Sequence, residues 1–95
     1  MIKYLEKEFT KYGNKFKRVA SGKGWNIYKV LIPMEDDPTK YSVHYEYFKQ
    51  HFQKNPWKEG EFEQYPWDEA FGSWAFCTLS LQYAINDIMH RIKNE

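Results

Sequence analysis

His44, Glu46, His51 and Cys77 are the residues whose types could do chemistry in this chain. His44 and Glu46 stand two apart, so on a strand they share one face. A small enzyme would need His44, Glu46 and His51 to meet in one pocket, where an imidazole beside a carboxylate moves a proton. Metal binding calls for Cys-x-x-Cys or His-x-x-x-His spacing, and the sequence has neither. Isolated surface histidines are the simpler reading, and no metal or cofactor is expected. Cys77 is the single cysteine. As a nucleophile it needs a histidine and an orienting group nearby; without them it is a small buried thiol. Asp68 and Glu69 form a candidate acid pair, but ahead of Phe71-Gly72 they read as turn residues. Ser21-Gly22-Lys23-Gly24 is too short for a phosphate loop and lacks the helix that should follow it. No residue is assigned a catalytic role.

Two groups are better suited to binding. Phe52, Trp57, Lys58, Phe62 and Trp67 lie in or beside an aperiodic stretch, where aromatic rings serve as interface anchors. The alternative is that this stretch folds its rings onto its own sheet. The second group is basic: Lys15, Lys17, Arg18, Lys23 and Lys29, with every charge from Lys11 to Lys29 positive. Lysines beside Phe16, Trp25 and Tyr28 on adjacent strands suit single-stranded nucleic acid, held through its backbone and by stacking. The plainer reading is a solvated hairpin with inward-facing aromatics.

Composition bounds both ideas. Ninety-five residues make a single domain, 1–95. Eight Tyr, seven Phe and four Trp exceed what a small core needs, so several rings should lie at the surface or at an interface. A formal charge of +1 favours neither a strong nucleic-acid binder nor an acidic mimic of DNA. A lone cysteine fits a reducing compartment. The first residues lack a signal-peptide core and no apolar run is long enough to span a membrane. A soluble cytoplasmic protein with no membrane partner is the expectation.

The elements that must position these residues follow from periodicity. Ile2, Leu5, Phe9 and Tyr12 recur at helical spacing, and Gly13-Asn14 suits a helix C-cap; a strand ending in a Gly-Asn turn competes. Lys15–Ala20 and Trp25–Ile32 read as a hairpin around the glycine turn, the second strand central and ended by Pro33. Tyr41–Phe48 alternates as a strand, and residues 49–64 show no period. Ser73–Cys77 reads as a further strand. Leu81, Ala84, Ile85, Ile88 and Ile92 form the stripe of a closing helix, capped by Thr78 or Ser80. The expected fold is α+β: an antiparallel meander of about four strands, with a C-terminal helix, and a possible N-terminal helix, packed on one face.

Phe16-Lys17-Arg18-Val19, Trp25-Asn26-Ile27-Tyr28-Lys29-Val30 and Tyr45-Glu46-Tyr47-Phe48-Lys49 make one half of a larger pattern. Tyr65-Pro66-x-x-Glu69-x-Phe71-Gly72-x-Trp74-Ala75-Phe76 and Leu79-x-Leu81-x-x-Ala84-Ile85 make the other. The whole resembles a class of small proteins encoded by phages and mobile elements, in which a strand meander leads through such a segment into a C-terminal helix. The likeness spans about residues 16–92. It implies a non-enzymatic module that binds a host protein, on the analogy of anti-CRISPR inhibitors of defence nucleases. A single-stranded nucleic-acid-binding accessory protein using the 15–30 hairpin is the alternative.

Overall fold

The computed structural model describes residues 2–54 and 60–95. Trp57 and Lys58, singled out above, lie outside the described residues. The strands are β1 (Ile2–Lys3), β2 (Glu8–Lys11), β3 (Asn14–Gly22), β4 (Trp25–Pro33), β5 (Tyr41–Lys49), β6 (Phe52–Lys54), β7 (Glu61–Glu63) and β8 (Ala75–Thr78). A single 3-10 turn at Asp68–Ala70 and the helix α1, Leu81–Lys93, complete the described elements. The fold is α+β.

The main sheet has the order β2-β3-β4-β5-β8, with every neighbouring pair antiparallel. β4 is central and its residues from Trp25 to Tyr28 are all buried, as its apolar composition requires. The register slips between Arg18 and Ala20, a bulge that leaves Val19 unpaired. A three-stranded sheet of order β1-β7-β6 stands beside the main one, with β1 parallel to β7.

Each face of the main sheet has its own core. On one face Trp25, Ile27 and Tyr47 are buried against Ala84 and Ile88 of α1, with Phe76, Leu81 and Ile85 around them. On the other, Phe16, Tyr28, Val30 and Phe48 are buried with Ala70 and Ala75. Leu5, Phe9, Tyr65 and Trp74 pack over that second face. Tyr65 is its hub, meeting Phe9, Phe16, Tyr28 and Phe48 edge-on at centroid distances of 4.9–5.4 Å. Such pairs add about 0.5–1.5 kcal/mol each beyond burial.

Two expectations are corrected. The N-terminal segment forms β1 and β2 rather than a helix: Phe9 stacks on Phe16 across the β2–β3 ladder at 4.7 Å, and Tyr12-Gly13 turns the chain with φ of 54° and 79°. The aperiodic stretch also contains paired strands, with Phe52, Gln53 and Lys54 opposite Glu63, Phe62 and Glu61. Strands of three residues are too short for a period to show. Helix α1 starts as expected, the Ser80 side chain accepting from the Tyr83 amide at 3.2 Å.

Candidate functional site

His44 and Glu46 do meet on one face of β5, with His44 Nε2 2.7 Å from Glu46 Oε2. The other oxygen, Oε1, accepts from the Tyr65 hydroxyl at 2.7 Å. Cys77 stands directly opposite Glu46 on β8. Burial, then the Glu46 carboxylate, pushes the Cys77 thiol up, which disfavours the thiolate a nucleophile needs. Cys77 is exposed on the edge strand, not packed in the core as the simpler reading held. His51 is elsewhere: its ring lies flat on Trp74 at 4.6 Å and meets Trp67 edge-on at 5.9 Å. Among the described residues no three His, Cys, Asp or Glu side chains group to hold a metal. Asp68 and Glu69 are exposed in the first turn of the short 3-10 element, the turn role expected of them.

The aromatic candidates divide. Phe52 and Trp67 are each 37% exposed, and Phe62 is half-buried. Phe52 packs edge-on against Tyr4 at 6.1 Å, and Trp67 against Trp74 at 5.4 Å. Phe62 pairs with Lys3 and Gln53 and so points to the opposite face of the small sheet from Phe52, which pairs with Glu63. Two aromatic pairs, Tyr4–Phe52 exposed on both rings and Trp67–Trp74 exposed at Trp67, therefore flank the Gln50–Phe52 corner. That corner is tied down where the Gln64 amide donates to the His51 carbonyl at 2.7 Å.

The anchor beneath this corner went unseen in the sequence. Glu63 is only 4% exposed, and its carboxylate accepts from the Leu5 amide at 3.0 Å, Asn26 Nδ2 at 2.8 Å and Gln50 Nε2 at 3.1 Å. It joins the small sheet to the main one and to the N-terminal segment. The readable signal was Asn26, a polar residue inside an apolar strand, which must find a polar partner when buried.

The basic candidates divide as well. Lys17 stands opposite Lys29, and Lys15 opposite Leu31, so these three lysines share the helix-bearing face of the sheet. Phe16 and Tyr28 point to the other face and are buried there; Trp25 is buried beside α1. The aromatic partner on the lysine face is Tyr41, with Lys15 Nζ 5.3 Å from its ring centre. Arg18, paired with Tyr28, leaves the set for the opposite face. With Lys23 it borders a groove beside Glu63 and Asn26.

No family model, curated protein or solved structure matches the chain. Among the described residues the surface carries the aromatic corner and the lysine face. Among the described residues, the cluster of reactive side chains around Glu46 has both carboxylate oxygens engaged.

Proposed function

We propose that this protein is a non-enzymatic binding module that docks a partner protein on the aromatic corner formed by Tyr4, Phe52, Trp67 and the His51–Trp74 stack. The observation that carries this is the exposure of Phe52 and Trp67 on a base locked by ring packing and by the buried Glu63. Rings held this way lose little conformational freedom on binding, and Trp and Tyr are the residues that dominate interface energetics. Trp57 and Lys58, adjacent in sequence, belong to the same proposal. The resemblance of the sequence to proteins of phages and mobile elements points to a host protein as the partner, in a bacterial cytoplasm, with a defence nuclease of the CRISPR type as the specific candidate.

Capture of partners from bacterial lysate, with the wild type and Phe52→Ala/Trp67→Ala compared side by side, tests this. At a typical hot-spot loss of about 2 kcal/mol, the double variant should bind roughly 30-fold more weakly while melting as a folded protein. Equal capture by the folded variant overturns the assignment of the corner, and a wild type that retains no protein overturns the function.

A further inference from the structure

The lysine face is distinct from the aromatic corner and needs its own explanation. Its residues form rows across the strands. Glu8, Lys17, Lys29 and Tyr45 stand in one row, and Thr10, Lys15, Leu31 and Val43 in the next. Pro33 and Tyr41 begin a third. The buried cluster under α1 draws on Ile27 and Tyr47 and extends to Tyr45 at its margin. Beyond it Lys15 and Lys17 are exposed, Lys29 and Leu31 half-buried, and Tyr41 is at the surface. A groove of about 310 Å³ opens along the β2–β3 ladder, lined by Glu8, Thr10, Lys15, Lys17 and Leu31 and reaching Phe9 and Phe16.

Like charges directly opposite across a ladder destabilise a sheet. Lys17 and Lys29 are such a pair, and Lys15 is diagonal to Lys29, within roughly 7–8 Å. Glu8 lies 3.6 Å from Lys17, but both side chains are more than half exposed, so that contact offsets little. The fold thus carries three clustered positive charges on one sheet face with an exposed tyrosine at its margin, a combination that costs stability and matches a polyanion with stackable rings.

We infer that this face is a binding site for single-stranded nucleic acid, with Lys15, Lys17 and Lys29 neutralising successive phosphates and Tyr41 stacking a base. Single strands are preferred over duplex because their unpaired bases can stack on Tyr41, and the face presents no helix or ribbon shaped to enter a duplex groove. Arg18 and Lys23, on or toward the other side, do not take part.

Fluorescence anisotropy with labelled oligothymidine, oligouridine and a duplex of the same length provides the test. Both single strands should bind, and log K should fall with log salt at a slope of about −2, from ~0.7 per neutralised phosphate. Lys17→Gln/Lys29→Gln should flatten the slope to about −0.7 and lose no thermal stability, because it removes a like-charge pair. Should that variant unfold, Lys15→Gln alone must still lower the slope. Tyr41→Ala should weaken binding with the slope unchanged, and Lys23→Gln should leave both unaltered. Absence of binding at low salt, equal affinity for the duplex or for polyglutamate, or an equal loss with Lys23→Gln would each overturn the inference. Phe52→Ala/Trp67→Ala should bind oligothymidine like the wild type, which keeps this outcome separate from that of the protein-docking reading.

Discussion

At the scale of single residues, Glu63 decides how three parts of the chain meet. Its carboxylate is nearly inaccessible and faces donors only: a backbone amide from the N-terminal segment and side-chain amides from Asn26 and Gln50. Hydrogen bonds to a charged group contribute more than neutral ones, and an unmatched buried group costs its full desolvation. Glu63→Gln keeps the shape but turns an NH2 toward those donors. The variant should lose roughly 1–3 kcal/mol in chemical denaturation, with hydrogen exchange at the Leu5 amide accelerating first. A variant as stable as the wild type would mean that the three donors find other acceptors. Nothing in Glu61-Phe62-Glu63 distinguishes the buried glutamate from the exposed one by type. Burial here comes from pairing between segments far apart in sequence, which a local pattern cannot show.

At the scale of elements, β5 and the helix are legible because their side chains obey one period over eight residues or more, and β4 because its run is apolar on both faces. β4 was placed to within a residue by its apolar run and by Pro33, and α1 by its stripe and its serine cap. The N-terminal segment was not, because Ile2, Leu5, Phe9 and Tyr12 mimic helical spacing while belonging to two short strands, the bend between them and the turn that follows. The deciding feature is the turn. Tyr12-Gly13 and Lys23-Gly24 both place two consecutive residues at positive φ, the turn that matches the twist of a two-residue hairpin. Both use a glycine second and an ill-suited residue first. A left-handed conformation costs an ordinary residue roughly 1–2 kcal/mol, and asparagine much less. Tyr12 is 91% exposed and contributes nothing to the core. Tyr12→Asn should therefore raise stability by about 1 kcal/mol and the melting temperature by roughly 4–8 °C. A melting temperature that falls would show that the Tyr12 ring, through its contact with Lys11, matters more than the backbone.

At the scale of the whole molecule, three tyrosine hydroxyls latch the main sheet to its covers. Tyr28 donates to the Glu6 carbonyl at 2.7 Å and holds the N-terminal segment. Tyr65 donates to Glu46 and holds the 64–74 segment over the same face. Tyr47 donates to Asp87 at 2.6 Å and holds α1 on the other face, with Arg91 also donating to Asp87 at 3.1 Å. Burial raises the Asp87 carboxyl, but donation from Tyr47 and Arg91 outweighs it and leaves the group below its usual range. The latches share a dependence on pH. Burial pushes Tyr28 up to about 12. Burial also pushes Tyr47 and Tyr65 well above the ordinary phenol value, reinforced by Asp87 beside one and Glu46 beside the other. A group whose folded value is raised stabilises the fold fully below its unfolded value, near 10 for tyrosine, and loses that contribution as pH climbs through the folded value. Stability should therefore hold to about pH 10 and then fall steeply. Ionisation of these three rings should arrive together with unfolding, since each must leave its acceptor to ionise. Tyrosinate absorbance and far-ultraviolet circular dichroism followed along one alkaline titration check this. A late absorbance step coincident with loss of dichroism is expected, and removing one latch by Tyr47→Phe should leave the coincidence in place while detaching α1 more readily. Full tyrosinate absorbance with the dichroism intact would mean that the covers stay on the sheet without their hydroxyls.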